Sequence, residues 1–344
     1  MRTGALSLAL ALIAALAGCA TTARTVETLP GDTLGSVDVM SRMQRSVVSL
    51  VVEHYNGGDA FGAGVVYDDR GTILTAHHVV EDASRIVVLL PEGYTVKATV
   101  IASDPVADFA LIRMEHLQPG LVAPAAIETA APRRGDTIWS LGNPFGTSRF
   151  GGEVSISRGV ISAVSRSYFN DETGRLYLGA LQHDAPTNPG NSGGGVFNTQ
   201  GKLVGINALI TTARDVPSDS GVAFALPAAS LKLRAEQLLR GERPNHGWLG
   251  EESFKQATEL FPSGMGRLRT VFGAVAPGGP AAEAGIQAGD VIIKLGEMEL
   301  FGLNEVLAAE DALRPGTIMA ITINRAGNEY ILTLAPTERP WRGN

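Results

Sequence analysis

From about residue 38 to 235 the chain is built of short apolar runs, rich in β-branched residues, each cut off by Gly, Asp, Asn or Pro. Residues 46–52, 86–90 and 203–206 are examples. Many short strands with regular turn signals predict an all-β barrel or sandwich. Only 229–239 reads clearly as a helix, and it would close this region. The polar, turn-rich segment Arg240-Gly241-Glu242-Arg243-Pro244-Asn245 follows as a linker. Beyond it, 246–337 mixes strands (273–275, 291–293, 318–324) with short helices at 280–284 and 303–312. There is no internal repeat.

The N-terminus has another pattern. Arg2 precedes an apolar stretch, 5–17, that is too short to span a bilayer comfortably and reads as an export signal. It ends in Leu16-Ala17-Gly18-Cys19, which resembles the lipobox of bacterial lipoproteins. The resemblance implies a signal peptide over 1–18, cleavage before Cys19 and lipidation of that cysteine. Ala20 stands where lipoproteins kept in the inner membrane often carry Asp, which favours the outer membrane. Residues 19–37 are rich in Thr, Gly and Pro without apolar periodicity and are expected to form a flexible tether. Cys19 is the only cysteine, so no intrachain disulfide can form. The net charge of −7 leaves no basic footprint and argues against a nucleic-acid partner. Histidines and acids do not cluster at ligand spacing, so neither a metal nor a cofactor is expected.

The candidate chemistry lies in Pro189-Gly190-Asn191-Ser192-Gly193-Gly194. One hydroxyl, Ser192, stands among glycines that leave backbone N–H groups free to stabilise a developing oxyanion. Upstream lie Thr75-Ala76-His77-His78-Val79-Val80 and Asp104-Pro105-Val106-Ala107-Asp108-Phe109-Ala110-Leu111. The order His…Asp…Ser is that of double-barrel serine proteases.

These segments resemble the HtrA (Deg) family of trypsin-like serine proteases with C-terminal PDZ domains. So do Gly62 to Val66, Gly71 to Val80, Gly142-Asn143-Pro144-Phe145-Gly146, Gly205-Ile206-Asn207 and Phe224-Ala225-Leu226-Pro227. The resemblance spans about 40–337. It implies a mainly β fold, with a double six-stranded β-barrel protease domain over 38–240 and a small α+β PDZ domain over 246–337. The family's Thr-Asn-x-His-Val pattern puts the general base on His78, with His77 pointing away along an extended segment. Asp108, which opens an apolar strand and fits Asp-x-Ala-Leu, is the orienting carboxylate; Asp104, before a proline, reads as a turn former. Ser192 is the nucleophile. The N–H groups of Gly190 and Ser192, with Asn191 as a further candidate, form the oxyanion hole.

In the family, the residue five before the nucleophile lines the primary pocket; here it is Thr187, with Leu209 and Ile210 on another wall. No acid stands at these positions, so cleavage after small or medium apolar residues is expected. Residues 146–154 and 211–221 are the candidate mobile loops. The PDZ resemblance rests on His246-Gly247-Trp248-Leu249-Gly250, 280–286 and 288–292, with Trp248, Leu249 and Gly250 as the loop that would hold a peptide C-terminus. Glu251 and Glu252 follow where apolar residues are usual and oppose a carboxylate ligand. Peptide binding, packing against the protease as a gate, and a structural role therefore all stay open.

The resemblance implies an ATP-independent endopeptidase of the cell envelope, facing the periplasm, that degrades unfolded proteins as a homotrimer. A lipid-anchored chaperone with vestigial proteolysis and a sensor protease with one regulatory substrate are the alternatives.

Overall fold

Strand β1 (Val47–His54) buries its first four residues on both faces, and β3 (Thr72–Ala76) is buried at all five positions. Strands without a wet face belong inside closed structure. In the computed structural model they join β2 (Asp59–Val66), β4 (Ala83–Leu89), β5 (Thr95–Asp104) and β6 (Phe109–Met114) in a closed barrel of order β1-β2-β3-β6-β5-β4. Its interior holds Val48, Leu50, Val66, Ile73, Ala110 and Ile112. A second closed barrel follows, of order β10-β11-β12-β9-β8-β7. Its strands are β7 (Thr137–Gly142), β8 (Ser155–Asn170), β9 (Arg175–His183), β10 (Gly195–Asn198), β11 (Leu203–Ile210) and β12 (Ala223–Pro227). Ile138, Ile161, Leu181, Val196 and Val204 fill it.

A third core joins the barrels. Val47, Leu74, Phe109, Leu141, Phe197 and Ile206 meet there under the helix Ala228–Leu239, which contributes Leu231 and Ala235.

The structure describes residues 37–340 apart from 56, 118–119, 151–152, 171–172 and 211–220. Cys19, the signal segment and almost all of the tether lie outside the described residues. So do nearly the whole 211–221 loop, part of the 146–154 loop, and the side chains of Leu209 and Ile210.

The C-terminal region pairs β13 (Gly247–Trp248) with β20 (Thr337–Glu338). Its main sheet runs in the order β14 (Glu251–Leu260), β15 (Gly266–Val275), β16 (Val291–Leu295), β18 (Met319–Arg325), β19 (Asn328–Leu334), with β17 (Met298–Glu299) beside β16. The helix Leu303–Asp311, here the PDZ helix, covers a core of Leu249, Phe272, Ile292, Val306, Ile321 and Ile323. The sheet and helices give the mainly β fold with a terminal PDZ domain. β14 carries no apolar alternation, since most of it is exposed on both faces, so hydrophobic pattern alone does not reveal it.

One local expectation is overturned. His77 and His78 do not lie in an extended segment; they open a one-turn helix, His77–Val80, because Val79 and Val80 turn into the barrel interior.

Candidate active site

Asp108 ends the tight turn between β5 and β6 in the left-handed region, at φ 52°. Asp tolerates that conformation better than most residues, and such positions cluster at functional sites. The turn buries its side chain completely. Oδ1 accepts the backbone N–H of His78 at 2.9 Å, and Oδ2 accepts His78 Nδ1–H at 2.8 Å. Two bonds to one histidine fix both the ring and the helical turn that carries it. His77 takes another direction: its Nε2 lies 3.7 Å from Glu81 Oε1. Burial holds His77 below the usual imidazole value, against the opposing pull of Glu81 and Asp108.

Two side chains from β9, one hydrogen-bond donor and one ion-pair partner, complete the surroundings of Asp108. Tyr177 Oη donates to Oδ2 at 2.9 Å, and Arg175 Nε lies 3.5 Å from Oδ1. Arg175 also donates through Nη2 to Glu81 Oε2 at 2.7 Å. Burial alone would raise the Asp108 carboxyl, but the His78 charge and hydrogen bonds, aided by Arg175, hold it below the usual carboxylate value. Burial and the adjacent Asp108 push the Tyr177 phenol upward, so it stays a donor at neutral pH. Neither Arg175 nor Tyr177 was marked by the sequence; both sit in what reads as an ordinary strand.

Ser192 faces the same cleft. It shares a cavity of about 270 Å³ with His78, Arg175, Tyr177, Thr187 and Asn207. Its carbonyl accepts Ala63 N–H at 2.9 Å, which pins the turn that carries Ser192 to the first barrel. Gly193 N–H donates to Asn207 O at 2.7 Å, and Asn207 N–H to Gly194 O at 2.8 Å, which pins it to β11. Gly193, at φ 81°, has no room for a side chain: a Cβ there would stand 2.2 Å from Ala63 O. No hydrogen bond joins Ser192 Oγ to His78 among the described residues, although both line the cavity.

The expected set of oxyanion donors needs one correction. Asn191 N–H donates to Asn188 O at 3.0 Å, closing a turn, so it is spent. The N–H groups of Gly190 and Ser192 have no partner among the described residues, and the two residues flank Asn191. Gly190, at φ 99°, is packed so closely on Asn143 that a Cβ would meet Asn143 O at 2.2 Å. The Thr187 hydroxyl donates to Ala185 O at 2.9 Å. The pocket residue therefore satisfies its own polarity and adds no unpaired hydroxyl to the cavity.

Asp104, read from sequence as a turn former, is also more than that. It is buried and accepts His246 Nε2–H at 2.7 Å and Arg234 Nη1–H at 2.6 Å. His246 donates on its other side to Asp311 of the PDZ helix through Nδ1, at 2.5 Å. Against the effect of burial, the two carboxylates push the His246 imidazole up to about 9, so it is a cation joining two domains.

The expected peptide loop of the PDZ domain is corrected in part. Trp248 Nε1–H donates to Glu251 O at 3.0 Å, and Gly250 at φ 98° makes the tight turn. Leu249 N–H is not open to a ligand, because it donates to Glu310 Oε1 at 2.7 Å.

Comparison with known proteins agrees with the fold. Residues 62–206 match the trypsin-like peptidase domain model and 271–325 the PDZ domain model. The serine endoprotease DegS of Escherichia coli (strain K12) is 32% identical over 311 residues, covering 86% of this chain and 85% of DegS. The chain belongs to the HtrA (Deg) family of serine endoproteases. Another relative, the periplasmic serine endoprotease DegP of E. coli, is 33% identical, and the match covers 80% of this chain but 56% of DegP. The solved structure of the HtrA-type protease AlgW with tripeptide superposes with a TM-score of 0.70 at 28% identity, covering 88% of this chain and 97% of that one. Like other HtrA proteins, the chain is a hydrolase acting on peptide bonds.

Proposed function

We propose that Ser192 attacks the scissile carbonyl while His78 takes its proton and later passes it to the leaving amine. Asp108 stays ionised; it fixes the tautomer with Nε2 free to face the serine, and it stabilises the imidazolium. The N–H groups of Gly190 and Ser192 receive the developing oxyanion. The single observation that carries this reading is the 2.8 Å His78–Asp108 bond, with Ser192 in the same cavity.

The substrates are unfolded or misfolded proteins of the cell envelope, cut without ATP, because a cleft of this type takes backbone in extended form. The pocket at Thr187, Leu209 and Ile210 takes small or medium apolar P1 side chains. The mature chain begins at Cys19, is lipid-anchored there facing the periplasm, with the outer membrane favoured, and assembles as a homotrimer. Its working parts are the tether 19–37, the protease domain 38–240 and the PDZ domain 246–337. The periplasmic naming of DegP supports the compartment, and the Leu16-Ala17-Gly18-Cys19 run supports the anchor.

The test is digestion of β-casein by lipid-free protein beside Ser192→Ala. Cleavage by the wild type and none by the variant is the expected result; equal cleavage by both refutes the nucleophile. A protease dedicated to one regulatory substrate is the second reading. It is favoured by coverage of most of DegS against about half of DegP. Inertness of the wild type towards β-casein would select it.

A further inference from the structure

A PDZ loop holds the terminal carboxylate of a bound chain with backbone N–H groups, while the rest of the peptide lies between a strand and a helix. In this chain both places are filled from within. Leu249 N–H donates to Glu310 Oε1, as described above. Glu310 is fully buried on the PDZ helix, and its Oε2 accepts Arg339 Nη2–H at 2.5 Å. Arg339 Nη1–H donates to Glu251 Oε1 at 2.9 Å. Glu251, the first residue after the loop, is itself buried, and its Oε2 has no hydrogen-bond partner among the described residues. Arg339 reaches this place because β20 returns along β13, and its backbone N–H donates to His246 O at 2.7 Å.

The space between β14 and the PDZ helix is also taken. Phe254, Leu303 and Leu307 pack there with Leu176 and Phe169 of the β8–β9 hairpin. Asn304, one residue into the helix, accepts Ser167 N–H at 3.0 Å and donates to Ser165 O at 3.2 Å. The Phe169 ring lies 4.7 Å from the Arg339 guanidinium carbon.

We propose that Glu310 is the resident carboxylate of the PDZ loop, held there by Arg339, and that it closes the site to free peptide C-termini. A ligand carboxylate entering this loop would be the third acid beside one guanidinium in a buried site, where like charges repel strongly. Burial, with Glu251 close by, already drives the Glu310 carboxyl well above its usual value despite Arg339. This departs from the peptide-binding role expected of Trp248, Leu249 and Gly250, and it does not depend on the triad being active.

The test is fluorescence anisotropy on the full chain with a labelled dipeptide ending in a free Leu carboxylate, short enough to need the loop and not the filled space beyond it, and its C-terminally amidated twin. The wild type is expected to bind neither saturably up to millimolar peptide. Glu310→Ala frees Leu249 N–H and leaves Arg339 in place, so it should bind the free acid at least tenfold more tightly than the amide. Saturable wild-type binding that prefers the acid overturns the proposal. A folded Glu310→Ala without gain overturns it as well. If Glu310→Ala fails to fold, hydrogen exchange at the Leu249 amide of the wild type decides. Slow exchange that millimolar peptide leaves unchanged upholds the assignment; fast exchange refutes it.

Discussion

Tyr177 Oη and His78 Nδ1 both donate to Oδ2 of Asp108, at 2.9 and 2.8 Å, so a strand of the second barrel helps to hold a buried carboxylate of the first. Hydrogen bonds to charged groups are worth about 1.5–3 kcal/mol. Tyr177→Phe keeps the ring and its stack on Tyr168 but removes this donor. We expect kcat to fall by about tenfold with KM little changed, since Tyr177 acts through Asp108 rather than on substrate binding. Steady-state kinetics on a chromogenic peptide checks it; a change confined to KM would count against the role.

The two adjacent histidines separate in the same assay. His78→Ala should lower kcat by about 10³-fold or more, leaving the residual rate that binding and the oxyanion donors give alone. His77→Ala should stay within a few-fold of wild type, because its ring leans towards Glu81 instead of the triad. Equal losses in both variants would return the choice of base to open question.

His246 gives a pH dependence whose sign is fixed. Its folded value, about 9, lies above an unfolded imidazole near 6.5. A raised value stabilises the fold fully below pH ~6.5 and loses that contribution as pH rises through about 9. The total is at most about 3 kcal/mol. Urea midpoints measured from pH 6 to pH 10 (roughly the window those values define) should fall on the alkaline side for the wild type. His246→Gln should be less stable at pH ~6 and show a flatter profile. Parallel profiles would remove His246 from the joint between the domains.

Cleavage preference follows from Thr187. Its hydroxyl is already bonded to Ala185 O, so Thr187→Val should leave P1 selectivity nearly unchanged, with apolar residues such as Val and Ala favoured. A peptide library read by mass spectrometry tests both points. Preference for Lys or Arg at P1 would contradict an uncharged pocket.

The three proposed triad residues stood out because each sits in a compact local motif whose turn chemistry shows in sequence. The strands with apolar runs were legible for the same reason. What stayed hidden was polar and long-range. Tyr177 lies 69 residues from Asp108, and His246 lies 142 from Asp104. Nothing in either neighbourhood betrays the pairing, because a buried hydrogen-bond network is assembled only when distant strands meet. The helical turn at His77 was masked by Val79 and Val80, whose β-branched side chains favour strands while here they serve the barrel core. Glu310 sits in a segment that reads only as a short helix, and the returning strand β20 reveals why an acid can be buried there.

Asp104 and Asp108 bracket a single turn. Ala107 N–H bonds back to Asp104 Oδ1 at 3.1 Å and Asp108 N–H to Pro105 O at 3.2 Å, so the segment is stiff. One end is gripped by a cation that also grips the PDZ helix; the other end steers the imidazole. The PDZ helix and the candidate base are therefore tied to opposite ends of one short, stiff turn.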